Sequence, residues 1–187
     1  MVFKKLFLTT FFTLGIVYAQ NNIALNINDE DLEVAASVDL NALSYYSDST
    51  SYFIDGSYLH ADGDNLVTVG LSAESKFQGA EGLTFGLGIK SVFADDFIAI
   101  PFLAKAKYTL PFSYSIPTTS LTTSLAYAPS VLAFSDAESY MEFRVEANME
   151  VVNNVHIFGG YRNIDTEYDT FDHTFNNSFY GGMKLSF

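Results

Sequence analysis

Hydrophobic and polar positions alternate strictly over the last eleven residues, 177–187 (NSFYGGMKLSF). Asn177, Phe179, Gly181, Met183, Leu185 and Phe187 share one face; Ser178, Tyr180, Gly182, Lys184 and Ser186 share the other. Strand side chains point alternately to opposite faces, so this segment predicts a strand that is apolar on one side and polar on the other. The same period recurs in 138–151 (ESYMEFRVEANMEV), with Met141, Phe143, Val145 and Ala147 opposite Glu142, Arg144, Glu146 and Asn148. Read this way, the chain contains ten candidate strands: 22–28, 32–41, 51–60, 65–77, 82–93, 97–110, 120–129, 138–151, 155–164 and 177–187. Gly, Asn, Asp or Pro clusters separate them, as in an all-β meander.

Beyond the amino-terminal region, no run approaches the roughly 20 apolar residues of a membrane-spanning helix. Amphipathic strands hide apolar residues as alternate positions, and single-chain bacterial barrels use an even strand number. The pattern therefore predicts a closed antiparallel transmembrane β-barrel of ten strands. Eight is the alternative, because the first segment falls short of the roughly 9–11 residues a spanning strand needs. Counted back from a periplasmic carboxyl terminus, 29–31, 61–64, 94–96, 130–137 and 165–176 are outside connections, and 78–81, 111–119 and 152–154 are periplasmic.

Residues 1–19 read as a cleaved signal peptide: Lys4 and Lys5, an apolar stretch over 6–17, then Val17-Tyr18-Ala19 before Gln20. Residues 20–187 are then one domain. The expected destination is the bacterial outer membrane, reached through the periplasm. Outer-membrane lipid, periplasmic chaperones and the barrel-assembly machinery are the expected partners. The terminal strand, through Tyr180, Gly182, Met183, Leu185 and Phe187, is the expected assembly signal. With no Cys, disulfides have no part.

The apolar faces of the candidate strands contain no charge: Leu32/Val34/Ala36/Val38/Leu40, Val67/Val69/Leu71/Ala73, Leu83/Phe85/Leu87/Ile89, Ile98/Ile100/Phe102/Ala104 and Met141/Phe143/Val145/Ala147. The opposite faces carry Glu33, Asp39, Asp55, Glu74, Lys76, Lys90, Lys105, Lys107, Glu138, Glu142, Arg144, Glu146, Glu150, His156, Arg162 and Lys184. Arg or Lys at a lipid-facing midplane costs about 2–4 kcal/mol, which accounts for their exclusion from lipid. An unpaired ion inside a narrow lumen is also expensive. These charges therefore predict an ion-paired, largely closed lumen, with a narrow porin-like channel as the alternative. Tyr45, Tyr46, Tyr52, Tyr108, Phe112 and Phe187 towards one end, and Tyr58, Phe93, Phe97 and Tyr161 towards the other, read as interface girdles.

The chain holds nine basic residues against 22 acidic ones. Such a balance lacks the basic patch that nucleic acid requires, and implies an acidic extracellular rim. His60 and His173 lie near Asp62, Asp64, Asp165, Asp169 and Asp172 in the outside connections. Asp with His can activate water in an omptin-like rim hydrolase, and an outer-leaflet acyltransferase would need His with an activated Ser. No fixed-spacing motif accompanies these residues, so the chain reads as a non-enzyme without cofactors. The acidic loops offer weak association to divalent cations.

Three motifs are similar to a known family: 58–64 (YLHADGD), 158–163 (FGGYRN) and 180–187 (YGGMKLSF). On these, the chain resembles the YfaZ-type outer-membrane proteins over most of its length. The resemblance implies a small outer-membrane barrel and no catalytic residues to carry over, while the ion-paired lumen and acidic rim are read as a structural or surface-interaction role.

Overall fold

The computed structural model describes residues 21–41, 50–111, 117–168 and 171–187. The proposed signal peptide, Tyr45, Tyr46, Phe112 and Asp169 lie outside them. The strands are β1 (Asn22–Ile27), β2 (Leu32–Asp39), β3 (Thr50–Ala61), β4 (Asp64–Lys76), β5 (Leu83–Ala94), β6 (Phe97–Ala99), β7 (Phe102–Thr109), β8 (Thr119–Ala128), β9 (Ala133–Ser135), β10 (Ala137–Val152), β11 (Val155–Tyr168) and β12 (Phe171–Ser186). Sequence neighbours pair antiparallel around the ring, except that β6 and β7 both pair with β5, β8 pairs with β10, and β9 pairs with β6. The ring closes where β1 pairs with β12, from Asn22↔Ser186 to Ile27↔Gly181. Since β6 and β7 are two pieces of one wall strand and β9 is a short addition at one end, the wall is a closed ten-stranded antiparallel barrel.

The strand ends define two poles. The hairpin end carries the connections at 28–31, 62–63, 95–96 and 129–136, and the paired ends Tyr168 and Phe171. The terminus end carries residue 21, Phe187, the connections at 77–82 and 153–154, and the strand ends Asp39, Thr50, Thr109 and Thr119. At 62–63 the register runs directly from Ala61 to Asp64, and both turn residues take positive φ, 50° at Asp62 and 92° at Gly63. That is the primed hairpin geometry, for which Asp-Gly is a preferred pair.

The outer surface carries the apolar faces: Leu25, Val34, Val69, Leu71, Leu87, Ile89, Phe102 and Met183 are exposed. In a transmembrane barrel this is the lipid-facing belt, and exposure there is the expected state of an apolar side chain. Tyr52, Tyr108 and Phe187 are exposed at the terminus end, and Tyr58 and Phe93 at the hairpin end.

Three details differ from the pattern reading. The expected twelve-residue loop 165–176 is mostly strand: β11 and β12 stay paired from Asp165↔Thr174 to Tyr168↔Phe171. Its Asp and Glu residues suggest a loop, yet Thr166 and Phe175 are buried on the inner face, so the alternation continues beneath the charges. The segment 97–110 is interrupted at Ile100 and Pro101. Pro101 has no N–H to give the ladder, and past it β6 pairs with β9, Ile98 opposite Phe134. Phe97, expected in an interface girdle, shares the inward face of β6 with Ala99 and is buried.

Inside the hairpin end, the barrel is filled by apolar side chains. Leu59, Leu66, Val92, Phe97, Tyr140 and Ile164 form one buried cluster together with several alanines. The Phe97 ring lies 6.1 Å from Tyr140 and 5.2 Å from Tyr168. Ring-centroid separations of that size are normal for packed aromatic pairs.

Candidate functional site

The lumen has an axial order that can be read along β10. Tyr140 belongs to the apolar cluster, Glu142 and Arg144 to an ion-pair cluster, and Glu146 and Asn148 to a polar cavity. Each step is two residues, because only alternate side chains of a strand point inward.

The ion-pair cluster is built from strands on opposite walls. Glu33, on β2, receives both terminal nitrogens of Arg144 from β10, each at 2.9 Å. It also receives Nη1 of Arg162 from β11 at 2.5 Å and Nδ2 of Asn26 from β1 at 2.8 Å. Arg144 donates Nε to Glu142 at 2.5 Å, Tyr140 donates its hydroxyl to the same carboxylate at 2.5 Å, and Lys90 from β5 pairs with it as well. Arg162 donates Nε to Asn176 at 2.8 Å and reaches Asp31 at 3.3 Å.

Lys90, Arg144 and Arg162 are thereby matched by Glu33, Glu142 and Asp31. Arg162 is 0% exposed and Glu33 1%. Burying charge is tolerable only where every ion is paired and its remaining hydrogen-bonding capacity used, and the bidentate Arg144–Glu33 contact is the geometry in which guanidinium suits carboxylate. Rings cover the cations: Lys90 lies 5.4 Å from the Tyr140 centroid and Arg162 5.3 Å from that of Tyr180.

Asp31 anchors the cluster at the β1–β2 turn. Burial works against its charge, but hydrogen bonds from Asn176, Asn28 and Ser178 and the positive charge of Arg162 hold its carboxyl below the usual aspartate range. Asp31, Asn26, Tyr140 and Asn176 were not among the residues the sequence singled out. Asp31 shares the period-two face of Glu33, a signal hidden by its place in a turn.

The other half of the lumen is looser. Lys105 lies 3.1 Å from Asp55 and 3.6 Å from Glu74, and Lys184 lies 3.2 Å from Glu146. His156 bonds Asn148 through Nδ1 at 3.0 Å. These groups surround a cavity of about 580 Å³ at the terminus end, with Lys107 also in its wall. Asp39 and Glu150 satisfy local backbone instead: Asp39 accepts from the Asn41 N–H at 2.8 Å and Glu150 from the Asn154 N–H at 3.1 Å. Lys76 is exposed at the end of β4. Glu138 does not join the lumen network; a register shift between Ala137 and Ser139 leaves it exposed at the hairpin end.

In the terminal strand, Met183, Leu185 and Phe187 face outward and exposed, while Tyr180 is buried inside. A Cβ at Gly182 would strike the Leu25 carbonyl and the Phe158 ring. Only glycine lets β12 approach β1 there with that ring laid across it.

The rim histidines do not converge. His60 bonds Asn65 at 2.9 Å on the outward face of β3, whereas His173 lies 3.7 Å from Asp64. Asp62 sits in the β3–β4 turn, and Asp165 accepts from Thr174 at 3.0 Å.

No curated protein matches the chain. Among solved structures it is similar to a KdgM porin (11% identity, TM-score 0.49, covering 90% of this chain and 99% of that one). It is also similar to a NanC porin (10% identity, TM-score 0.49, covering 90% and 100%) and to a bacterial polysaccharide outer membrane secretin (11% identity, TM-score 0.47, covering 89% and 69%). The YfaZ precursor family profile matches residues 3–187. With nearly the whole length covered, the chain belongs to the YfaZ precursor family.

Proposed function

We propose that this protein is an outer-membrane β-barrel whose lumen is closed at rest, with a structural or surface-directed role. The reading is carried by one observation: the chain of pairs Lys90–Glu142–Arg144–Glu33 runs from β5 through β10 to β2, from wall to wall. The apolar packing around Phe97 supports it by filling the lumen beside those pairs. Moving a hydrated ion through would require separating charges in a dry interior, where each unpaired ion carries a heavy desolvation cost.

Placement in the outer membrane rests on the apolar exterior belt and on closure of the sheet, which leaves no backbone edge exposed to lipid. In this reading lipid covers the belt. Chaperones and the barrel-assembly machinery deliver the chain, with the terminal strand as their signal. A narrow porin-like channel is the second reading, favoured by the polar cavity in the terminus half. Single-channel recording of the refolded protein in planar bilayers separates the two. The closed-lumen reading expects small or rare openings at neutral pH; a large, steady, diffusive conductance overturns it in favour of the porin.

A further inference from the structure

The cavity at the terminus end holds three lysines, Lys105, Lys107 and Lys184, and three carboxylates, Asp55, Glu74 and Glu146. Equal numbers conceal an unequal arrangement. Lys105 engages both Asp55 and Glu74, and Lys184 engages Glu146. Among the described residues, no carboxylate lies within ion-pair distance of Lys107.

Lys107 is exposed in the cavity wall. Thr122 stands directly across from Lys107 on the neighbouring strand, so its hydroxyl shares the same inward face. His156 lines the same cavity, with Glu150 directly across from it on β10 and Lys184 across from it on β12. The Nδ1 of His156 bonds Asn148, and its Nε2 has no hydrogen-bond partner among the described residues. Lys105, Lys184 and the carboxylates of Asp55, Glu74 and Glu146 each have a counterion.

We propose that the cavity binds the anionic group of a small solute, a carboxylate or a phosphate, on Lys107 Nζ, with Thr122 and His156 completing the contact. A hydrogen bond between a charged donor and an oxyanion is roughly twice as strong as a neutral one. A lysine already committed to carboxylates, as Lys105 is, offers no such gain. About 580 Å³ is room for a solute larger than the anionic group alone. The site depends on the fold and on the Lys107 environment, and not on whether the lumen is closed.

The test uses the refolded mature chain in detergent micelles, with its three histidines isotope-labelled so that the His156 ring reports occupancy. Sodium phosphate and, separately, sodium acetate are titrated at fixed pH and ionic strength. A saturable shift of the His156 signal is expected with either oxyanion, which shows that the site reads the charge. Lys107→Gln is expected to weaken the response about tenfold or more. Lys107→Arg keeps it, and Lys76→Gln leaves it unchanged. Because Lys107 holds no partner, its substitution leaves the fold in place, which heat-modifiable migration on gels verifies. No saturable shift in the wild type, or equal saturation in Lys107→Gln, overturns the proposal.

Discussion

In the half of the lumen nearest the hairpins, the Arg162 and Glu33 side chains are 0% and 1% exposed; in the terminus half, those of Lys105 and Asp55 are 23% and 31% exposed. Both halves are lined by charges of both signs, drawn from alternate positions of the same strands. The difference is how each ion is held. Glu33 receives four hydrogen bonds from Arg144, Arg162 and Asn26, whereas Lys105 makes contacts of 3.1–3.6 Å beside a cavity. Equal inventories of charge thus make a buried, interlocked cluster at one end and a looser set of pairs around a cavity at the other. What separates them is the buried apolar cluster on the hairpin side, and in such low-dielectric surroundings an unpaired ion is costly.

The contrast is tested most severely by Arg162→Ala. It leaves Glu33 and Asp31 short of a counterion inside the barrel, and removing one partner of a buried pair costs about 3–5 kcal/mol. A urea refolding titration in lipid vesicles or micelles is expected to show that loss. A variant as stable as the wild type would mean that the buried cluster is held no more tightly than the pairs around the cavity.

Asp31 gives a smaller and pH-dependent effect. Its folded pKa is depressed, so its contribution is present above the ordinary aspartate range and lost as pH falls through the lowered folded value. Asp31→Asn is expected to cost about 1–3 kcal/mol near neutral pH, the penalty for disturbing buried hydrogen-bond partners. It should also remove part of the wild type's loss of stability in acid. Unfolding midpoints compared near neutral pH and in acid measure both. An acid response identical in the two proteins would show that Asp31 is not coupled to the cluster.

The smallest effect is expected in the terminus half. Lys105→Met should change stability by less than about 1 kcal/mol, as for ion pairs that solvent can screen. A loss comparable to that of Arg162→Ala in the same titration would erase the distinction between the halves.

Much of this architecture was legible as period-two alternation. The ten wall strands, the charge-free faces of β2, β4, β5 and β10, and the inward position of Glu142, Arg144 and Arg162 follow from which side of a pleat each residue occupies. The hairpin end was harder to read. Leu59, Val92, Phe97 and Ile164 are apolar residues on the inner face, and a pattern that equates apolar with lipid-facing does not distinguish a filled lumen from an outer belt. The strands through 165–168 and 171–176 were obscured by their acidic residues, which read as a loop although Thr166 and Phe175 are buried.

The sequence by itself determined the fold class, because the alternation of side chains along a strand is a local property that needs no partner. Tertiary structure alone decided which charges meet. Lys90 and Glu142 are 52 residues apart, Arg144 and Glu33 111, and Arg162 and Glu33 129. Closing the sheet into a tilted ring brings opposite walls within a side chain's length, and the register of that closure chooses among carboxylates that the sequence leaves equivalent. The same closure commits Lys105 to Asp55 and Glu74 and leaves Lys107 with none among the described residues, because pairing in a lumen is set by reach across the ring and not by the number of charges along the chain.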